Sequence, residues 1–298
     1  MDRRSFIKSS LFGAALTAGV GSTMSSAQPA AGAKNPAVLR LSSQEWLIPG
    51  RSLKEKVEKL IKWGGAGIEL GPGLNPKDVL AAIEGTPIKV SAICAADGPY
   101  IVDDKDQQRK AVENAKRILD RAGEVGSTGV IMVPAFNGAG GNKQLKNPEA
   151  RKLLIDLLRE MGEHAVKAKC RMLLEPLNRG EAWYLRQLAD AASICRDVNS
   201  PGIGMMGDFY HMHVEETSDM GAFISAGQYL HHVHLASRSR ARTMPHQDNS
   251  DYRDGFRGLK YIGYQDFMSL ECGCRGDRDV ETPKTFAYLK QQWEEATI

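Results

Sequence analysis

The chain has 298 residues, 42% hydrophobic and 25% charged, with 30 glycines and 13 prolines. That balance excludes a disordered chain, a collagen-like repeat and a coiled coil, and the length fits one α/β barrel of roughly 250 residues. The formal charge of +3 comes from scattered Lys and Arg without the basic stripe of a nucleic-acid binder, and five widely spread cysteines make no disulfide framework.

The chain opens with Asp2-Arg3-Arg4-Ser5-Phe6-Ile7-Lys8, then a moderately apolar run from Ser9 to Met24 and the small residues Ser25-Ser26-Ala27. The run is too short and glycine-rich to span a bilayer, which needs about 20 strongly apolar residues. Residues 1–27 therefore look like a twin-arginine export signal, so the protein is expected to be periplasmic with no stable membrane span. Residues 28–36 have the composition of a linker, and 37–298 are expected to form one folded domain.

From position 37 onward the pattern alternates. Short β-rich runs fall at Val38–Ser42, Ala66–Leu70, Ile88–Ala95, Gly129–Pro134, Arg171–Leu177, Ile203–Phe209, Leu230–Ser237 and Phe267–Cys272. Amphipathic stretches separate them, including Leu53–Trp63, Gln107–Ala122, Pro148–Ala168, Leu185–Val198 and Thr282–Glu295. Asn147-Pro148 and Thr282-Pro283 place a proline just inside two helix starts. Strands alternating with helices imply right-handed crossovers and a parallel sheet. Eight such units, with no Gly-x-Gly-x-x-Gly after the first strand, favour a closed (β/α)8 barrel over an open dinucleotide-binding sheet.

The chemistry sits at strand ends. A parallel strand buried on both faces should be apolar, so an ionisable residue near its C-terminal end needs a reason. Met172-Leu173-Leu174 leads into Glu175, Met205-Met206-Gly207 into Asp208, His231-His232-Val233 into His234, and Met268-Ser269-Leu270 into Glu271. The intervals of 33, 26 and 37 residues place the four on successive strands at one rim of the barrel. Three carboxylates and an imidazole converging there would repel without a cation. That oxygen-rich set suits Mn²⁺, Co²⁺ or Mg²⁺ better than a thiolate-type zinc site.

Glu175-Pro-Leu-Asn178-Arg179-Gly-Glu181, Asp208-Phe-Tyr-His211-Met-His-Val-Glu-Glu216, His232-Val-His234 with Arg240 six later, and Gly263-Tyr264 before Ser269-Leu-Glu271 resemble the xylose isomerase-like barrels. The nearest type is the D-tagatose 3-epimerase and hydroxypyruvate isomerase group of sugar isomerases and epimerases. The resemblance covers roughly residues 37–295 and implies a TIM barrel acting on a small sugar. It makes Glu175, Asp208, His234 and Glu271 the ligands of a divalent metal, Mn²⁺ foremost. Glu175 and Glu271 would also exchange the proton beside the carbonyl through a metal-stabilised enediolate, while His211, Glu181 and Arg240 hold substrate oxygens. The chain departs from the group in having Leu235-Ala236-Ser237-Arg238 after the seventh strand and Cys272-Gly273-Cys274 after the eighth. A lyase or hydratase acting on 3-ketosugars or keto-glycosides therefore stands as the alternative reaction, and a non-catalytic carbohydrate-binding barrel as the second class. A homo-oligomer is compatible with either.

Strand parity turns Cys272 toward the helices as a buried, inert thiol. On a strand, His213 would point away from the pocket to the surface, and His246 is balanced between substrate and solvent. Glu69 is expected to join the pocket or pair with a lysine. Gly138–Gly141 reads as a plain loop, lacking the Lys-Ser/Thr of a phosphate cradle.

Overall fold

The computed structural model describes residues 36–137 and 145–298. The expected export signal, nearly all of the linker and Gly138–Gly141 lie outside the described residues. Eight parallel strands close into one barrel in chain order: β1 (Arg40–Gln44), β2 (Gly67–Leu70), β3 (Lys89–Ile93), β4 (Val130–Met132), β5 (Met172–Leu174), β6 (Ile203–Asp208), β7 (Leu230–Leu235) and β8 (Phe267–Leu270), with β8 pairing back onto β1. The helices are α1 (Leu53–Trp63), α2 (Pro76–Ile83), α3 (Lys105–Glu124), α4 (Asn147–Lys167), α5 (Leu188–Val198), α6 (Phe209–Glu215), α7 (Asp219–Ala226), α8 (Arg253–Ile262) and α9 (Arg278–Glu295). No helix among the described residues is long and apolar enough to cross a membrane.

In α1 a cap meets an apolar stripe. Ser52 caps α1 by accepting from the Glu55 N–H at 3.2 Å, and Gly64 ends it with φ at 80°. Val57 and Leu60 are the face α1 buries, each worth about 1.5–3 kcal/mol. Alternation along the strands then separates two cores. Val130, Met132, Met205, Val233, Met268 and Leu270 pack outward against the helices. Ala92, Ile131 and Met206 form a small separate cluster that parity places inside the barrel. Cys272 lies in the outer core, and burial raises its thiol pKa far above the usual range, as an inert cysteine requires.

Of the boundaries that differ from expectation, four have a visible physical cause or bear on the site. β1 runs two residues later, through Ser42-Ser43-Gln44, because the barrel lumen accepts polar side chains there: Ser42 bonds Ser91 at 2.7 Å. α9 begins at Arg278, where the Asp277 carboxylate accepts from the Asp279 N–H at 2.9 Å, so Pro283 lies inside the helix. Leu185 adopts a left-handed φ of 64°, which delays α5 to Leu188, whose N–H is capped by Glu216 Oε1 at 2.8 Å. β6 passes directly into α6, so His211 and His213 stand on a helix rather than on a strand.

Candidate active site

The strand registers align the rim. Asp208 ends β6 opposite His234 of β7, and His234 stands opposite Ser269 of β8, two residues before Glu271. Glu175 follows β5 directly, its N–H donating to Met132 O at 3.0 Å, and the Glu271 N–H donates to Leu235 O at 3.2 Å. Glu175, Asp208, His234 and Glu271 thereby converge at the C-terminal end of the barrel, one ligand atom from each lying within 4.8 Å of all the others. The four side chains come from four successive strands of a closed sheet, so the ladder itself fixes their separation.

The electrostatics of this quartet ask for positive charge. Burial pushes the Glu175 carboxyl up to about 8, Glu271 and Asp208 adding to the rise against an opposing His234. Burial also raises Glu271, but His234 and Arg242 outweigh it and hold that carboxyl at about 2. The buried His234 Nδ1 faces Glu271 Oε2 at 3.0 Å and Glu175 Oε1 at 3.6 Å without a well-formed hydrogen bond. Three carboxylates and one nitrogen short of a partner are the donor set of a hard or borderline divalent cation, so the residues fit such an ion.

Around the quartet the side chains are held in place by neighbours. Asp208 caps α6, its Oδ1 accepting from the Tyr210 N–H at 2.8 Å, and its Oδ2 accepts from Arg242 Nη2 at 2.6 Å. Arg242 also pairs with Glu271 and lies 4.7 Å from the centre of the Tyr210 ring. His211 Nδ1 accepts from the Asn178 backbone N–H at 3.2 Å, which leaves the proton on Nε2, 3.5 Å from Asp208 Oδ2. The Asn178 amide donates to Glu181 Oε1 at 2.9 Å, and its Oδ1 accepts from the Gly180 N–H at 2.9 Å, which fixes the amide's orientation. Burial lowers the His211 pKa, consistent with a neutral ring.

His211 stands beside the quartet through Asp208, and Glu181 Oε1 lies 3.8 Å from the far side of its ring at Nδ1. Arg240 stands apart: it is exposed, and no ion pair or hydrogen bond among the described residues joins it to the site. Arg242 takes the place expected of it. The Ser237 N–H donates to Thr243 O at 2.7 Å and the Thr243 N–H to Ser237 Oγ at 2.9 Å, closing the loop at its base. The middle of the loop, with Arg240, therefore turns outward, and Arg242 at its base, with φ at 42°, faces the carboxylates. His213 is exposed and meets Arg238, while His246 ties its short 3-10 turn to α9 through Thr285 and Glu281, both at 2.8 Å. Neither reaches the quartet.

Glu69 joins the site through histidines rather than lysine, with His232 Nε2 at 2.8 Å and His234 Nε2 at 3.0 Å from its Oε2. Sequence reasoning gave no role to Gln44, Asn178, His232 or Arg242. His232 carried a usable signal, since it is two residues before His234 and so on the same face of the strand. Gln44 carried none. A cavity of about 330 Å³ opens at this end, lined by Gln44, Trp46, Cys94 and Glu271 among others. A larger one of about 470 Å³, lined by Arg151, Arg179, Trp183 and Glu215, contains none of the quartet.

The family model described as xylose isomerase-like TIM barrel matches residues 57–292. The chain is 28% identical over 263 residues to 3-dehydro-D-guloside 4-epimerase of Escherichia coli strain K12, covering 85% of this chain and 99% of that protein. It is 25% identical over 223 residues to the Synechocystis protein named "Probable ketose 3-epimerase", covering 70% and 75% of the two. The crystal structure of 3-keto-D-glucoside 4-epimerase from E. coli superposes with a TM-score of 0.77 at 26% identity, over 85% of this chain and all of that one. These relatives are named as sugar epimerases.

Proposed function

The chain belongs to the xylose isomerase-like TIM barrel family, and we propose that within it this protein is a keto-sugar epimerase dependent on a divalent cation. The observation that carries the reading is the quartet of Glu175, Asp208, His234 and Glu271 at the C-terminal rim, with donor atoms within 4.8 Å of one another. These four would hold the ion, Mn²⁺ foremost, with Co²⁺ and Mg²⁺ the other candidates for such a donor set.

The relatives' names share one chemical element. Position 4 of a 3-keto sugar and position 3 of a 2-ketose both lie beside a carbonyl, where a proton can be removed and returned. The bound cation supplies positive charge for adjacent carbonyl and hydroxyl oxygens, lowering the cost of the negative charge that builds as the proton leaves. Glu175 and Glu271 both face His234, and in this reading they are the carboxylates that remove that proton and deliver it to the other face. His211 offers its Nε2–H to a sugar oxygen, Glu181 accepts from a hydroxyl, and Arg242 rather than Arg240 donates to an oxygen beside the carboxylates.

The near full-length similarity to a 3-dehydro-D-guloside 4-epimerase favours 3-keto-glycosides over free ketoses as the first substrates to try. Incubating the Mn²⁺-loaded protein with both classes and following products by NMR tests this. Inversion beside the carbonyl is the expected result. An unsaturated sugar would make the protein a lyase, and no turnover of any member would sink the reading. The Arg3-Arg4 pair motivates the further proposal that the protein acts outside the cytoplasm. Changing both to Lys should retain the full-length chain in the cell; unchanged export would refute it.

A further inference from the structure

Glu69 is the penultimate residue of β2 and has no exposed side-chain surface, in a barrel lumen where a carboxylate is costly unless fully bonded. Its Oε2 takes His232 Nε2 at 2.8 Å and His234 Nε2 at 3.0 Å; its Oε1 takes Gln44 Nε2 at 2.8 Å and the same His234 nitrogen at 3.1 Å. Trp46 Nε1 donates to Gln44 Oε1 at 2.5 Å, which fixes the amide so that its nitrogen faces Glu69 and also Glu271 Oε1 at 3.1 Å. An ionised carboxylate only accepts, so both histidine Nε2 atoms must carry hydrogen. His234 is then left with Nδ1, the nitrogen that faces Glu175 and Glu271.

We propose that Glu69, braced by His232, is a positioning residue that pins a proton on Nε2 of His234 and so presents Nδ1 to the cation. The proposal rests on the metal-dependent reading above. It accounts for His232, which is fully buried, packs edge-on against the His234 ring with centroids 5.1 Å apart at 87°, and is not itself one of the four ligand candidates. His232 gives Glu69 a second strong donor, so the carboxylate is satisfied without a proton of its own. Removing a carboxylate that orients a ligating histidine typically costs about 10–100-fold in metal affinity.

The test uses the full chain. Histidine ring ¹⁵N–¹H NMR on the metal-free and Mg²⁺-loaded protein should show His234 Nε2 protonated in both states. Calorimetric titration with Mn²⁺ should show Glu69→Gln binding about 10–100-fold more weakly, with His234 no longer held in one tautomer. Wild-type affinity in Glu69→Gln with the tautomer unchanged overturns the proposal alone. So does a bare His234 Nε2 accompanied by two ions per chain, which would make Glu69 a ligand of a second cation. If wild type takes up no Mn²⁺ at all, the metal-dependent function falls and this proposal with it. Should Glu69→Gln fail to fold, the wild-type ring NMR still decides.

Discussion

Replacing Arg242 with Met keeps the side-chain stem but removes the cation that Asp208 and Glu271 share. Asp208 is fully buried and Glu271 partly so, its side chain 21% exposed, and deleting one partner of a buried ion pair costs about 3–5 kcal/mol. The same scale follows from Glu271 itself. Holding its carboxyl at about 2 instead of the ordinary 4.5 corresponds to about 3 kcal/mol, an effect that His234 and Arg242 share. Because the folded state lowers this pKa, the stabilisation is present above the unfolded value and is lost as pH falls toward 2. At pH 7 it is complete. For a barrel of this size, 3 kcal/mol shifts the melting temperature by about 6–12 °C. Thermal melts in EDTA should show that gap between wild type and Arg242→Met. Saturating Mn²⁺ should shrink it to less than half, since the ion neutralises the same two carboxylates. A gap of equal size with and without Mn²⁺ would refute the reasoning, as would no gap in EDTA.

Elemental analysis of purified His234→Ala should find less than a tenth of the metal held by wild type; full occupancy would place the ion elsewhere. Arg240→Ala should leave kcat and KM within about twofold of wild type, as exposed positions usually do, whereas Arg242→Ala should raise KM in the same steady-state assay. Gly123→Ala would bring a methyl group to 1.8 Å from the Ala168 carbonyl oxygen where α3 meets the end of α4. That clash should cost about 1–3 kcal/mol or more in urea unfolding, and a neutral result would mean the two helices can separate freely.

The barrel was readable in the sequence because alternating apolar strands and amphipathic helices leave few other architectures. Glu175, Asp208, His234 and Glu271 stood out because a carboxylate or imidazole closing an apolar run has no structural excuse. Arg242 was not readable. Its place depends on the Ser237–Thr243 clasp, a tertiary feature that turns Arg240 outward despite its matching position in the motif. Gln44 was missed for a related reason: polar residues ending β1 look like a loop until the lumen they line is seen to be polar. Pro283 misled because proline is read as a helix start, whereas Asp277 supplies the stronger cap six residues earlier.

Hydrogen exchange at the substrate carbon beside the carbonyl tests the central claim most directly. In D₂O, Mn²⁺-loaded wild type should place deuterium at that carbon of a 3-keto-glycoside while inverting it. Glu175→Gln and Glu271→Gln preserve side-chain shape and an oxygen ligand but remove the base. With Mn²⁺ still bound, each should exchange about 10²–10⁴-fold more slowly. Loss in one variant alone would assign the base to that residue and leave the other as a ligand. Wild-type exchange in both metal-loaded variants would contradict the account.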